Sequence, residues 1–409
     1  MFEQPTRYYL KLSVTIKPFM RSRHLFFLTL SVILIYTCSS QDKGLYKFDP
    51  RTLKEREITL TQIADQITYI PLENKMLIGD IINIKIINEG IYFPIRDIGI
   101  LVFNREGKFI SKIGNIGRGP GEYISFLLFC VNDKSGTVYI ADVRNVIKVF
   151  SRTGKFIRSF SLNEYKVIIE NIEFYNSNLF IQYAVEYKDA NYDWIICDTL
   201  GNIIKKQNRH LPAFTTNWGG PKPIYMLENQ LFYYNQFTDT VFSVLPDLTE
   251  KPSLIISPGD HRKPRSNLSI EQIISGEYLE LIRIFETSHL FVISYNFNKK
   301  HFLSLIEKQN HESFLIPFEV DGIGGPPRGG LENDIDGGSS FFPKTYFTDQ
   351  GREYLVGLQY PYQIKAKVAT EEFKNATPEY PEKKKALEKL AYTLKETDNP
   401  VLMLVRLKK

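Results

Sequence analysis

The chain has 409 residues, 43% of them hydrophobic and 13% aromatic, which is enough for a large core. Of its formal charge of +5, most sits in the first 37 residues, where Arg7, Lys11, Lys17, Arg21 and Arg23 face only Glu3. The remainder is nearly neutral, which argues against nucleic acid as a partner, and three cysteines can neither build a disulfide framework nor show a zinc spacing.

Taken in chain order, the first readable element is an address. Arg21 and Arg23 precede an apolar run from Leu25 to Ile35, too short to span a bilayer comfortably, and Cys38 closes it. This resembles a bacterial lipoprotein signal, which implies cleavage before Cys38 and lipid on that residue. Ile35 suits the third position before the cysteine; Thr37 departs from the usual small residue. Met20 suits the start of such a signal, so 1–37 reads as signal region and 38–50 as a polar, lipidated tether. Several acyl chains hold a protein at a membrane where one is marginal. The expected location is the cell envelope, on an outer membrane, with the face open.

From residue 51 onward the pattern is β. NREGKFI (104–110), SRTGKFI (151–157) and DTLGNII (198–204) place Gly107, Gly154 and Gly201 at a spacing of 47 residues. Short alternating strands flank each glycine, and the glycine supplies the positive φ that a tight hairpin needs. A period of 40 to 50 residues with several strands per unit is the signature of a propeller blade. Blades stacked radially bury faces that one sheet leaves open. The 29 Phe and 24 Tyr suit such half-buried surfaces.

The second half repeats less cleanly. Hairpins are expected around Thr238-Asp239-Thr240, Asn298-Lys299-Lys300 and Gly351. Ser269, with Glu271 and Gln272 behind it, predicts a helix start. Pro378 and Pro381 open an amphipathic helix with Leu387, Leu390, Ala391 and Leu394 on one face and a solvated lysine face opposite. VLMLVRL (401–407) predicts a buried strand that closes the ring on ITYIPL (67–72). The fold expected is all-β, a single six-bladed propeller over 51–409 with a short C-terminal helix and a closing strand.

Two glycine-rich stretches carry the candidate chemistry. IGNIGRGPGEY (113–123) lacks the Gly-Lys-Ser/Thr of a nucleotide loop, and its glycine spacing and following β-like sequence do not fit a dinucleotide fold. It is expected to connect two blades, with Arg118 and Glu122 either tying them together or binding an anionic or carbohydrate ligand. DGIGGPPRGG (321–330) carries Arg328, followed by Asp334 and Asp336. Two carboxylates two apart suggest calcium, but the other oxygen ligands are missing and a solvated loop is preferred. If both stretches reach one end of the disc, Arg118, Glu122, Arg328, Asp334 and Asp336 form a ligand-binding constellation. No catalytic residue or metal ligand is assigned, and no cofactor is expected beyond that calcium. Cys130 and Cys197 read as small buried hydrophobes.

Five strings in order, IGRGPGEY, VYIAD…VIKVFSRTGKFIRSF, FTDTVFSV, NDIDGGSSFFP and LKETDNPVLMLVRLK, are similar to the six-bladed β-propeller lipoproteins of Bacteroidetes, relatives of the NHL-repeat propellers. Thr238 and Phe342 depart from the commoner Asn and Trp. The resemblance implies a six-bladed fold and a lipid anchor, but no particular activity. The function expected is a binding or interaction module for an envelope protein, peptide or glycan. The alternatives are a metal-dependent propeller enzyme, a lyase or hydrolase, and a structural scaffold of an outer-membrane complex.

Overall fold

The repeat glycines stand where the turns need them. Gly107, Gly154 and Gly201 have φ of 81°, 84° and 98°. Each also wedges its turn against the preceding blade. A Cβ on Gly107 would lie 2.3 Å from the Pro71 carbonyl oxygen, one on Gly154 2.0 Å from that of Lys112, and one on Gly201 2.6 Å from the Phe160 ring. The 47-residue period is therefore the period of a contact between neighbours as well as of a turn.

A computed structural model describes residues 44–409 except 80, 82, 88, 89, 163–166, 188 and 321–326. The side chains of 319, 320, 327 and 328 also lie outside that description. The signal region and Cys38 fall outside it too. Among the described residues, six antiparallel meanders follow one another. Blade 1 runs from Lys85 to Ile113, blade 2 from Phe129 to Ser161, and blade 3 from Ile169 to Asn208. Blade 4 runs from Ile224 to Ile256 and blade 5 from Glu280 to Ile316. Blade 6 combines Thr345–Asp349, Arg352–Gln359 and Val401–Leu407 with the N-terminal strand Ala64–Pro71. The molecule is a six-bladed β-propeller.

Closure follows the expected pairing. Val401–Leu407 lies antiparallel to Ala64–Pro71, with Ile67 opposite Val405 and Tyr69 opposite Met403. Apolar clusters then cement every neighbouring pair of blades. Tyr92, Ile113, Tyr123 and Phe150 join blades 1 and 2, while Phe103, Val356 and Leu404 join blades 6 and 1. Burying each such side chain stabilises by about 1.5–3 kcal/mol.

The chain departs from expectation at both termini. Tyr46–Phe48 pairs in parallel with Leu254–Ile256 on the outer edge of blade 4, and Lys54–Glu55 with Phe314–Leu315 on blade 5. The described end of the segment expected as free tether, residues 44–50, is thus the start of a strap paired with blades 4 and 5, with Phe48 fully buried. Its polar composition conceals Tyr46 and Phe48, which alternate as one strand face. It also covers two edges that would otherwise offer unpaired backbone groups. At the other terminus, three helices rather than one fill the excursion between the second and third strands of blade 6: Pro361–Ala369, Glu371–Asn375 and Pro381–Thr393. The first two are set by Pro361 in the first turn and by Thr370, whose Oγ1 accepts from the Phe373 N–H. Lys384 belongs to the packing rather than to a solvated face: it donates to the Lys374 and Ala376 carbonyls and lies over the Phe373 ring.

The other local readings hold. Ser269 and Gln272 form a capping box on Ile270–Ser275, the turns at Asp239, Asn298-Lys299 and Gln350-Gly351 have positive φ, and Cys130 and Cys197 are buried free thiols.

The wedge contact yields a paired test. Gly154→Ala adds a Cβ against backbone in a left-handed turn and should cost about 2–4 kcal/mol. Gly351→Ala has the same kind of φ, 70°, but meets nothing within 4 Å, and should cost only about 1–2 kcal/mol. Urea denaturation of the two variants measures the difference.

Candidate functional site

In a four-stranded meander, the connector to the next blade and the turn between the second and third strands fall at the same end. The glycine-rich stretch is such a connector, leaving blade 1 at Ile113 and entering blade 2 at Phe129. Beside it lies the blade 2 turn Val143–Asn145. Between them is a cleft of about 400 Å³ lined by Gly117, Arg118, Ile124, Asp142, Val143, Arg144, Val146 and Lys148.

The connector is tied down from within. Tyr123 is fully buried, donates its hydroxyl to the Ile113 carbonyl at 2.5 Å, and meets Phe150 of blade 2 edge to face. Burial pushes its phenol up to about 12. Asn115–Ile116 pairs with Glu122–Tyr123 as a small parallel ladder. The Glu122 carboxylate turns back into its own loop and accepts from the Gly119 N–H at 2.8 Å. A Cβ on Gly117 would lie 2.0 Å from that carboxylate, so the glycine leaves Glu122 room to turn back.

Asp142 holds the loop from the blade side. Its carboxylate accepts from the N–H groups of Ile124 at 2.9 Å and Ser125 at 2.8 Å, and pairs with Lys148 at 3.0 Å. Lys148 also donates to the Glu122 carbonyl. Burial raises the Asp142 carboxyl, but the Ser125 N–H, Lys148 and the neighbouring amides outweigh it, and the net shift is downward.

This scaffold leaves Arg118 and Arg144 exposed and without ion pairs among the described residues. Arg144 stands at φ 58°, and Asn145, at φ 56°, anchors the turn by donating to the Val167 carbonyl. Ile124 and Val143 line the cleft with Arg118 and Arg144, and Ile116 and Leu127 lie on the same connector; the four aliphatic residues are between 39% and 48% exposed. One ordered loop and one turn thus hold four aliphatic side chains at the surface.

The expected constellation does not assemble as one site. Arg118 lines the cleft, whereas Glu122 is spent inside the loop. Asp334 accepts from the Thr61 N–H at 2.9 Å and from its hydroxyl, fastening the N-terminal strap. Asp336 is buried, accepting from Asn333 at 2.7 Å and from the Gly338 N–H at 2.9 Å. Both aspartates therefore serve the connector between blades 5 and 6. Arg328 lies in the strand Pro327–Gly329, opposite Glu319, and its side chain is outside the described residues. Sequence reasoning missed Arg144, Lys148 and Asp142. Their signal was the turn inside VYIAD…VIKVF, read for its geometry and not for its charges.

Ion pairs also cross between blades. Lys85 of blade 1 reaches Glu173 of blade 3 at 2.6 Å, and Lys222 pairs with Glu186 at 3.0 Å. The cavity beside Lys222 measures about 10 Å³, room for one water. His210 bridges Asp193 at 3.2 Å and Glu250 at 2.8 Å. Among the described residues, no group of three or more His, Cys, Asp or Glu side chains is placed to hold a metal ion.

Fold and site together define a six-bladed propeller with an ordered, partly apolar connector surface at one end. The chain belongs to the family described as a domain of unknown function, DUF4934, which it matches over residues 45–406. The match begins with the strap, in keeping with Tyr46 being part of the disc. Among solved structures, the chain is similar to a protein named as exported from Bacteroides fragilis, with TM-score 0.64 and 18% identity over 90% of this chain and 100% of that one. It is also similar to a DUF4221 family member from Bacteroides vulgatus, with TM-score 0.46 and 11% identity over 84% of this chain and 97% of that one. A Bacteroides thetaiotaomicron protein of unknown function gives TM-score 0.43 and 10% identity over 87% of this chain and 75% of that one. No curated protein matches this chain.

Asp142 provides a pH test of the site. Its lowered native pKa means that its contribution to stability is complete above the unfolded value near 3.9 and is lost as pH falls through the native value. Asp142→Asn should therefore flatten the acid limb of the stability curve below about pH 4, measured by urea midpoints across pH.

Proposed function

We propose that this protein is a binding module of the cell envelope, anchored by lipid on Cys38, that recognises a protein or peptide partner through the connector between blades 1 and 2. The observation that carries the reading is that one connector and one turn expose Ile116, Ile124, Leu127 and Val143 together with Arg118 and Arg144. Arginine is enriched in binding hot spots, and the aliphatic side chains beside it give a partner apolar area to bury. The partner surface that fits combines aliphatic side chains with carboxylates. A glycan fits less well, because sugar faces stack on aromatic rings and the exposed patch is aliphatic. Envelope location is supported by the signal ending at Cys38 and by the export named for the Bacteroides fragilis relative.

Recognition by such a patch needs no movement of the disc. The loop is ordered before binding, so little conformational entropy is lost on contact and affinity comes from a few anchors.

The test is site-specific photo-crosslinking in cells that express the full chain. A crosslinker at Ile124 or Leu127 should capture one discrete partner, and the double variant Arg118→Glu/Arg144→Glu should reduce capture at least about tenfold. A crosslinker at Ile157, an exposed residue on the outer strand of blade 2, serves as the control. Equal capture from Ile157, or capture indifferent to the charge reversals, contradicts the reading. In the same cells, Cys38→Ala should move the chain out of the membrane fraction.

A further inference from the structure

Three lysines with little solvent exposure follow one rule: each has its carboxylate. Lys85 has Glu173, Lys222 has Glu186, and Lys308 has Glu286. The seam between blades 5 and 6 breaks it. Arg283 lies in Glu280–Glu286, the innermost strand of blade 5, and Lys344 immediately precedes Thr345–Asp349, the innermost strand of blade 6. Among the described residues neither makes an ion pair or a side-chain hydrogen bond, and both remain partly accessible to solvent.

Register places the groups together. Phe285 stacks on Tyr346 of blade 6 with ring centroids 5.5 Å apart, so that face of the blade 5 strand looks at blade 6. Arg283, two residues earlier, shares the face. Its cross-strand partner is Ser294, and directly opposed residues project to the same side. The Ser294 hydroxyl is buried and has no hydrogen-bond partner. His301 is opposite Asn296, two residues from Ser294 on the same strand, with its Nδ1 2.6 Å from Asn296 Oδ1.

The electrostatics agree with this placement. Burial lowers the Arg283 guanidinium from its ordinary value. Burial, and then the charge of Arg283, bring Lys344 down to about 8. Burial, Arg283 and Lys344 bring His301 down to about 4, so it is neutral at physiological pH. Two like charges and an orphaned hydroxyl donor meet in one seam, and none of the three has an ion-pair or hydrogen-bond partner among the described residues. Each of these costs free energy in the empty protein, and one oxyanion would relieve all three.

We infer that the seam between blades 5 and 6 is an oxyanion-binding site, in which Arg283 and Lys344 supply charge and the Ser294 hydroxyl a further donor. The ligand class is a phosphate or carboxylate group, free or carried on a larger molecule. The half-buried rings of Phe318 and Phe342, both packed on His301, flank it and suit a ligand whose anionic group is attached to a flat or ring-shaped body. This site is separate from the connector patch and does not depend on it.

Thermal unfolding of the full chain at matched ionic strength tests the inference, with inorganic phosphate, glucuronate and chloride as the three arms. Phosphate or glucuronate should raise Tm by about 2 °C or more over chloride, and the arm that does so identifies the oxyanion. Lys344→Met and Arg283→Met should abolish the rise, and in chloride they should be at least as stable as the parent, because an unpaired buried charge has been removed. Arg283→Lys should retain the rise. The inference is overturned if neither anion raises Tm, if the rise survives in both Met variants, or if those variants unfold at lower temperature than the parent in chloride, since the cations would then have structural partners.

Discussion

Every blade of this molecule depends on a ring that the chain must close with its own two ends. Val401–Leu407 and Ala64–Pro71 meet in blade 6 over seven register pairs, and without that sheet blades 5 and 1 would each expose an apolar face. Closure is reinforced from the preceding turn of the ring, because the Gly107 turn of blade 1 packs against Pro71 at the end of the N-terminal strand. The same turn-on-neighbour contact recurs at Gly154 and Gly201. Three successive blades are thus wedged each on its neighbour, and the terminal strand pair closes the ring.

The ring fixes where connectors begin and end, and so limits what they can do. The stretch from Ile113 to Tyr123 must turn from the outermost strand of one blade to the innermost strand of the next. Tyr123 settles its path by filling the seam between blades 1 and 2 and bonding back to Ile113. Glu122 and the glycines then close the loop on itself, and Asp142 with Lys148 fasten it to blade 2. The polar groups that first suggest ligand chemistry are largely consumed in holding the loop. What they leave outside, and what the proposed recognition rests on, is two arginines and four aliphatic side chains on a rigid support.

Much of the architecture was legible in the sequence because it rests on local rules repeated at a fixed interval. Turn glycines with positive φ, alternating strands and the apolar run at 401–407 are each readable within a few residues. The strap was not, because pairing of Tyr46–Phe48 with blade 4 is a contact across about two hundred residues and only two aromatic side chains announce it. The helices at 361–375 were hidden because Thr370 and Pro361 act through capping, with little apolar periodicity between them. The candidate site was half legible. The glycine density correctly marked a connector and Arg118 an exposed cation, but Glu122, Asp334 and Asp336 point into the protein for reasons of tertiary bonding that residue type alone does not reveal. Arg283 and Lys344 were equally invisible, since what distinguishes them is the partner each lacks.

The account turns on the connector being ordered before any partner arrives. Native-state hydrogen exchange of the unliganded protein measures this directly at residues 114–125. The N–H groups of Gly117, Gly119, Glu122 and Ile124, each donated to an acceptor within 3.0 Å, should exchange slowly, with protection approaching that of the blade 2 strands. Exchange at those amides as fast as in an unstructured loop would contradict the account, because the patch would then have to be assembled by its ligand.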